Sequence, residues 1–115
     1  MRRRTLLKGV AATAATGLFV RRAAADTPLK MGISIPLTGA GFAAVGRQAT
    51  TAIKLYMQQH GDTVAGRKIQ LTIRDDGGVA DIAHRIIQDM IVNDKVDIVG
   101  TGITPTSLAL APLIT

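Results

Sequence analysis

The stretch PLTGAGFAAVG carries the residue spacing of a dinucleotide-binding fingerprint. Gly39, Gly41 and Ala44 fit the pattern G-x-G-x-x-A, in which a tight turn brings backbone N–H groups close to a pyrophosphate. The fingerprint also needs an acid about 20 residues further on, which binds a ribose hydroxyl. The candidate acids, Asp75 and Asp76, lie 34 and 35 residues past Gly41. The glycines therefore indicate a tight turn beside a pocket, with an exported NAD(P)-dependent oxidoreductase as the alternative function.

A second group of polar side chains surrounds the predicted start of the last helix. Thr104 suits the cap position before a helix, and Pro105 suits its first helical position, where a missing N–H costs nothing. Thr106 and Ser107 place two further hydroxyls beside this end. The first N–H groups of a helix lack partners and carry partial positive charge, so they hold anions. We therefore predict that Thr104, Thr106 and Ser107 bind a small anionic group.

The acidic pair Asp75–Asp76 is the third candidate for chemistry. Asp81 and His84 follow it closely, so the residue types allow a metal site or an acid–base pair. Carboxylates in such loops more commonly bind backbone N–H groups or cap a helix. We favour this structural role for both aspartates.

The sequence offers no recognised catalytic motif. Cysteine is absent, and the two serines, Ser34 and Ser107, have no histidine near them in the sequence. Neither the nucleophile motif G-x-S-x-G nor the zinc motif H-E-x-x-H occurs. We predict that the protein is not an enzyme and that it needs neither a metal nor another cofactor.

Hydrophobic periodicity predicts three strands that alternate with three helices. The predicted elements are a strand at 29–35, a helix at 43–60, a strand at 69–73, a helix at about 80–93, a strand at 96–99 and a helix from Thr104 that Pro112 kinks or ends early. Strands joined by helices run parallel, so the predicted fold class is α/β with a βαβαβα parallel sheet. Ligands of such sheets bind beyond the carboxyl ends of the strands, which here means the loops PLTGAGFAAVG, DDGGVAD and GTGITPTS.

The first 25 residues account for the excess of positive charge. The formal net charge is +6, and residues 1–25 contain six Arg or Lys and no acid. From residue 26 onward, eight basic residues balance eight aspartates. Because this part shows no basic stripe with interleaved aromatics, we predict no nucleic-acid binding.

The same 25 residues have the layout of a signal peptide. A basic start precedes an apolar run of 12 residues, which is shorter than the roughly 18–20 needed to span a membrane. The small residues Ala23, Ala24 and Ala25 predict cleavage before Asp26, and the predicted location is the periplasm. The run RRTLLK resembles a twin-arginine export motif, with the general secretory route as the alternative.

Residues 29–115 resemble the first lobe of type I periplasmic solute-binding proteins of the branched-chain amino acid class, which serve ABC transporters. The resemblance rests on ordered segments: LKMGISIPLTGAGFAAVG, GRKIQLTIRDDGG, IVNDKVDIVG and GTGITPTSLALAP. No one of these motifs is very specific, and their order carries the resemblance. It implies a protein of two α/β lobes that close on a ligand. We expect residues 26–115 to be the incomplete N-terminal part of the first lobe, because the chain ends within a helical pattern.

The resemblance also implies which residues touch the ligand. In the family the ligand carboxylate sits at the loop after the third strand, which corresponds to Thr104, Thr106 and Ser107. An aromatic residue near the first loop can cover the ligand, and Phe42 is the candidate here. Val45 stands where relatives often have tyrosine, which suggests a less polar ligand.

The implied function is an extracytoplasmic receptor that delivers a small amino acid-like or carboxylate ligand to an ABC importer. Its expected partner is the transporter permease, and we expect a monomer. Besides the oxidoreductase, a periplasmic ligand-sensing domain is a further alternative.

Overall fold

The computed structural model describes residues 27–39 and 41–114. Strands and helices alternate along the chain, and a five-residue π-helical turn, Met90–Asp94, follows the second helix. The elements are β1 (Leu29–Ile35), α1 (Ala43–His60), β2 (Thr63–Val64), β3 (Arg67–Asp75), α2 (Ala80–Asp89), β4 (Ile98–Thr101) and α3 (Thr104–Ile114). The predicted α/β class is confirmed. The predicted signal peptide and its predicted cleavage site lie outside the described residues.

A single sheet in the order β2-β3-β1-β4 organises these elements. The central strand β1 pairs in parallel with β3 on one side and with β4 on the other. Ile35 lies opposite Asp75, and Ser34 lies opposite Thr101, so the three strands end at a common edge. The short strand β2 pairs antiparallel with β3, in a segment for which the sequence analysis predicts no strand.

Helices α1 and α2 cover opposite faces of the sheet. A Cβ placed on Gly46 of α1 would lie 3.4 Å from the Ile35 side chain, whereas a Cβ on Gly32 would lie 2.7 Å from the sulfur of Met90, just after α2. Residues 32 and 35 point to opposite faces because side chains alternate along a strand. Since β3 and β4 flank β1 on its two sides, right-handed crossovers account for this arrangement.

The hydrophobic core lies on the α2 face. Ile87, Met90 and Leu110 are fully buried and join α2, the π-helical turn and α3. The partly buried apolar residues packed against them are Ile86, Ile91, Val96, Val99 and Leu113. This cluster fixes the position of α3 relative to the sheet, and therefore fixes where α3 begins.

Several predicted bounds differ from the structure. The strand predicted at 69–73 spans Arg67–Asp75, and the helix predicted at about 80–93 ends at Asp89, where the π-helical turn follows. The third parallel strand begins at Ile98 rather than Val96, because Val96 N–H still donates to the carbonyl of Met90 and Asp97 accepts a hydrogen bond from Lys30 N–H. Ile98 is 43% exposed because β4 forms the edge of the described sheet.

Helix α3 also continues through Pro112 to Ile114 instead of ending early. Pro112 removes only the hydrogen bond to the carbonyl of Leu108. Leu108 is 70% exposed, so water can replace the missing N–H.

Candidate functional site

Three loops meet at the carboxyl edge of the sheet, around Gly78. A Cβ placed on Gly78 would lie 3.7 Å from Cδ1 of Ile103, 3.9 Å from Cδ2 of Phe42 and 3.9 Å from Cβ of Pro36. These residues belong to the loops after β4 and β1, and Gly78 belongs to the loop after β3. The sequence analysis assigned the ligand loops to this edge, and the structure brings all three together.

The start of α3 is organised by the carbonyl of Ile103. It accepts the N–H of Ser107 at 3.0 Å, the hydroxyl of Ser107 at 2.8 Å and the hydroxyl of Thr106 at 2.9 Å. Ile103 therefore holds the cap position, and Thr104 is the first residue of the helix rather than its predicted cap. Thr104 and Pro105 are both exposed at the tip.

The two other predicted hydroxyls have different surroundings. Thr106 is fully buried, and its hydroxyl donates a hydrogen bond to the carbonyl of Ile103. The side chain of Thr106 thus lies in the interior, whereas the sequence analysis expected it to bind the ligand. It points inward because the face of α3 that carries Thr106 packs on the core. Ser107 is exposed, and its hydroxyl contacts that of Thr101 at the end of β4.

Thr101 is a polar candidate that the sequence analysis missed. It lies at the end of β4, opposite Ser34 of β1, and its hydroxyl pairs with that of Ser107. A hydroxyl can rotate and redirect its proton, so this pair can donate to an incoming carboxylate. The sequence signal was a threonine at the carboxyl end of a parallel strand, but the strand was predicted to end at Val99.

Phe42 immediately precedes α1 at the mouth of this edge. Phe42 is 47% exposed, and its carbonyl accepts the N–H of Gly46 at 3.0 Å. Phe42 and Ile103 approach the same point above Gly78 and form the apolar part of the candidate site. The candidate site therefore combines an apolar wall from two loops with hydroxyl and N–H groups at the start of α3.

The glycines of the first loop produce a tight, closely packed turn. Gly39 and Gly41 have φ angles of 90° and 97°, which residues with side chains rarely adopt. A Cβ on Gly46 would lie 1.7 Å from the carbonyl oxygen of Pro36, so only glycine allows α1 to approach this loop. The predicted tight turn is confirmed.

Asp75, the last residue of β3, and Asp76, which follows it, both bind loop groups, as the structural interpretation expected. Asp75 accepts hydrogen bonds from the N–H groups of Leu37, Thr38 and Gly77 and from the Thr38 hydroxyl. The pKa of Asp75 is lowered to about 2 because these donors favour the charged carboxylate. The Thr38 hydroxyl contributes most to this shift, and the Leu37 N–H comes next. Asp76 caps no helix through its side chain, because Val79 precedes α2 without a side-chain cap.

Asp76 is buried and joins β1 to the loop that follows β3. Its carboxylate accepts the hydroxyl of Ser34 at 2.8 Å and the N–H of Gly78 at 2.8 Å. Among residues 27–39 and 41–114, no three His, Cys, Asp or Glu side chains come together in a way that could hold a metal ion.

The nucleotide alternative loses support from the same contacts. A dinucleotide loop presents free N–H groups to a pyrophosphate. Here the N–H groups of Leu37 and Thr38 are already bound to the carboxylate of Asp75. An internal anion therefore occupies this part of the turn.

A separate polar cleft of about 380 Å³ lies on the α2 face of the sheet. Its cationic groups have partners within the protein. Arg74 pairs with Asp89 and Asp94, and Lys30 Nζ donates to the carbonyl of Asp94. The cleft thus presents mainly groups whose charges are already compensated, and it is a weaker candidate for an anionic ligand.

Comparison with known proteins identifies the family. A profile described as "Periplasmic binding protein" matches residues 28–115. The chain belongs to the periplasmic binding protein family. None of the described helices of this periplasmic binding protein is long and apolar enough to cross a membrane. A search of curated proteins found no match.

Solved structures of ABC-transporter solute-binding proteins match the same region of this family member. One from Rhodopseudomonas palustris BisB5, in complex with 3,4-dihydroxybenzoic acid, is 49% identical with a TM-score of 0.73, and the match covers 76% of this chain and 24% of that one. Another from R. palustris, in complex with 4-hydroxybenzoate, is 30% identical with a TM-score of 0.68 and coverage of 77% and 24%. A third, in complex with benzoate, is 28% identical with a TM-score of 0.67 and coverage of 75% and 24%.

The chain thus spans about a quarter of the length of these relatives. The type I periplasmic binding protein fold is shown for the part that it does span. The family places the protein outside the cytoplasm, in the periplasm, and its relatives are binding proteins rather than enzymes.

Proposed function

We propose that this protein is the solute receptor of an ABC importer and that its ligand is a small aromatic carboxylate, with 3,4-dihydroxybenzoate as the first candidate. The observation that carries the proposal is that Phe42 and Ile103 both approach Gly78 beside the start of α3. An aromatic carboxylate has a flat apolar ring and an anionic end, which match these two parts of the site.

Each part of the ligand has a corresponding group in the described chain. A ring can pack on the exposed face of Phe42, an arrangement worth about 0.5–1.5 kcal/mol beyond the buried area. A carboxylate can bind the first N–H groups of α3 and the hydroxyls of Ser107 and Thr101. In this assignment Thr104 contributes its backbone N–H, and Thr106 supports the helix start from the interior.

Relatives with known ligands support the aromatic class. Three solved solute-binding proteins that resemble this chain are in complex with 3,4-dihydroxybenzoic acid, 4-hydroxybenzoate and benzoate. The valine at position 45, where relatives of the amino acid class often have tyrosine, agrees with a less polar ligand. A branched-chain amino acid is the second candidate, because it also has a carboxylate and an apolar part. The same proposal includes the permease of the importer as the partner of the receptor. It also includes a monomeric receptor and export by the twin-arginine route.

A ligand screen on the full-length protein tests this function. Thermal unfolding is measured with 3,4-dihydroxybenzoate, 4-hydroxybenzoate, benzoate, leucine, valine and NAD(P), followed by calorimetric titration of each compound that stabilises. A ligand at 100 times its Kd stabilises the folded state by about 2.7 kcal/mol, which gives a clear shift in Tm. Stabilisation by aromatic carboxylates and not by amino acids supports the proposal. Stabilisation by leucine or valine alone would replace it with the amino acid receptor, and stabilisation by NAD(P) alone would overturn the receptor function.

A further inference from the structure

The Asp75 carboxylate joins the loops that follow β1 and β3. Its Oδ1 accepts N–H groups from Leu37 at 2.7 Å, Thr38 at 3.2 Å and Gly77 at 2.9 Å. Its Oδ2 accepts the hydroxyl of Thr38 at 2.5 Å. One carboxylate thus binds four donors from two loops, and charge-assisted hydrogen bonds of this kind are stronger than neutral ones.

The loop that Asp75 binds is also held from its other side by α1. Arg47 Nη1 donates to the carbonyl of Leu37 at 3.0 Å, and Gly46 packs directly on the carbonyl of Pro36. A Cβ on Gly39 would lie 2.9 Å from the carbonyl oxygen of Gly77, so the two loops are in close contact. The first loop is therefore fixed between α1 and the Asp75 carboxylate, immediately before Phe42.

From this geometry we propose that Asp75 is a positioning residue of the ligand site. It holds the segment 36–39 against Gly77 and Gly78, and this contact sets the position of Phe42 relative to Ile103. Because Asp75 already occupies the N–H groups of Leu37 and Thr38, the carboxylate of the ligand binds at the start of α3. This inference rests on the proposed function, since it concerns the affinity of the same site.

Two substitutions at position 75 separate the geometry of the side chain from its charge. Asp75→Asn keeps an oxygen that can accept all three N–H groups, and its amide N–H can donate to the Thr38 hydroxyl. Asp75→Ala removes every acceptor. In the full-length protein we expect Asp75→Ala to raise the Kd for 3,4-dihydroxybenzoate by about tenfold or more, because the loop loses its preorganised position. We expect Asp75→Asn to stay within about threefold of the wild type.

A matched control separates positioning from general stability. Arg74→Met, at the neighbouring position of β3, removes ion pairs to Asp89 and Asp94 without touching the loops. All titrations are run well below the lowest Tm of the four proteins. The proposal is supported if Asp75→Ala binds weakly while Asp75→Asn and Arg74→Met bind about as tightly as the wild type. If Asp75→Ala binds as tightly as the wild type, or if Arg74→Met binds as weakly as Asp75→Ala, Asp75 does not position the site.

Amide exchange distinguishes a failure of this inference from a failure of the proposed function. If the wild type binds no aromatic carboxylate, the proposed function fails, and exchange in the ligand-free protein still tests the Asp75 contact. We expect the Leu37, Thr38 and Gly77 amides to exchange about tenfold faster in Asp75→Ala but not in Asp75→Asn. The amide of Val96, which donates to Met90, is the internal reference. Equal exchange in all variants would overturn the inference.

Discussion

The loops after β1 and β4 leave neighbouring strands at the same edge of the sheet, but they use their polar groups differently. In the first loop, the N–H groups of Leu37 and Thr38 are bound by Asp75, and the Leu37 carbonyl is bound by Arg47. In the second, the exposed tip at Thr104 begins a helix, whose first N–H groups have no carbonyl partner within the helix.

This difference indicates how one edge can provide both rigidity and affinity. A loop whose donors are already bound has little left for an anionic ligand but keeps a fixed shape. A helix start with unpaired N–H groups attracts an anion, but it needs a fixed neighbour to complete a pocket. In this protein the core cluster of Ile87, Met90 and Leu110 fixes α3, and Asp75 fixes the first loop.

The largest expected effect comes from a substitution that disrupts the packing of α1 on the first loop. Gly46→Ala would place a Cβ 1.7 Å from the carbonyl oxygen of Pro36, and two backbone segments would have to separate. We expect the free energy of unfolding of the full-length protein to fall by about 3 kcal/mol or more, measured by urea unfolding. Gln48→Ala, an exposed site on the same helix, should change it by less than about 0.5 kcal/mol. Equal stability of the two variants would contradict the close packing seen here.

A second substitution tests the α3 side of the comparison. Ser107→Ala removes an exposed hydroxyl beside Thr101, and loss of one hydrogen bond to a charged ligand corresponds to about 1.5–3 kcal/mol. We expect the Kd for the aromatic carboxylate to rise about tenfold or more by calorimetry, with little change in Tm. Thr106→Val is the matched control, because it removes a buried hydroxyl bonded to Ile103 and should lower stability by about 1 kcal/mol instead. Reversed effects in the two variants would assign the ligand contact to Thr106.

The pH dependence of stability measures how strongly the first loop is held. The pKa of Asp75 is lowered to about 2 from an ordinary value near 4, so the folded protein releases this proton more readily than the unfolded chain. The resulting stabilisation is fully present above about pH 4 and is lost as the pH falls toward 2. We therefore expect the stability advantage of the wild type over Asp75→Asn to decrease between pH 5 and pH 2. Arg74 also lowers the pKa of Asp89, but this contribution is common to both proteins and cancels. An advantage that is constant with pH would contradict the assignment.

The smallest expected effect concerns the polar cleft on the α2 face. Arg74 and its partners Asp89 and Asp94 are partly exposed, and such ion pairs add little stability in water. We expect Arg74→Met to lower the urea midpoint slightly, by much less than Gly46→Ala, and to leave ligand affinity unchanged. The difference in urea midpoint between the wild type and Arg74→Met should shrink further in 1 M salt, where the Debye length is about 3 Å and surface charges are strongly screened. A large loss of ligand affinity in Arg74→Met would indicate that the ligand binds in this cleft instead.

Much of the fold follows from local sequence patterns. The strand at Leu29–Ile35 and the helix at Ala43–His60 have the predicted bounds, because alternating and helical apolar spacings report directly which face is buried. The strand after the second helix was misplaced by two residues. Its boundary depends on the bond from Lys30 N–H to Asp97, which joins residues 67 positions apart, and no local pattern contains that information.

The candidate site was predictable in its location but not in the orientation of its side chains. The order of strands and helices was sufficient to assign the ligand loops to the carboxyl edge. Thr104, Thr106 and Ser107 look alike in sequence, yet Thr106 is buried and Ser107 is exposed. The packing of α3 on the core decides which hydroxyl faces outward, and Thr101 joins the site only because β4 extends to it.

The sequence by itself therefore determined the α/β class, the tight glycine turn and the edge at which the three candidate ligand loops meet, since these depend on short-range periodicity and backbone freedom. Only the tertiary structure decided that Asp75 binds the first loop, that Asp76 is buried against Ser34 and that Phe42 lies near Ile103. These contacts join residues from about 38 to 61 positions apart, and they form only when parallel strands bring their loops to one edge.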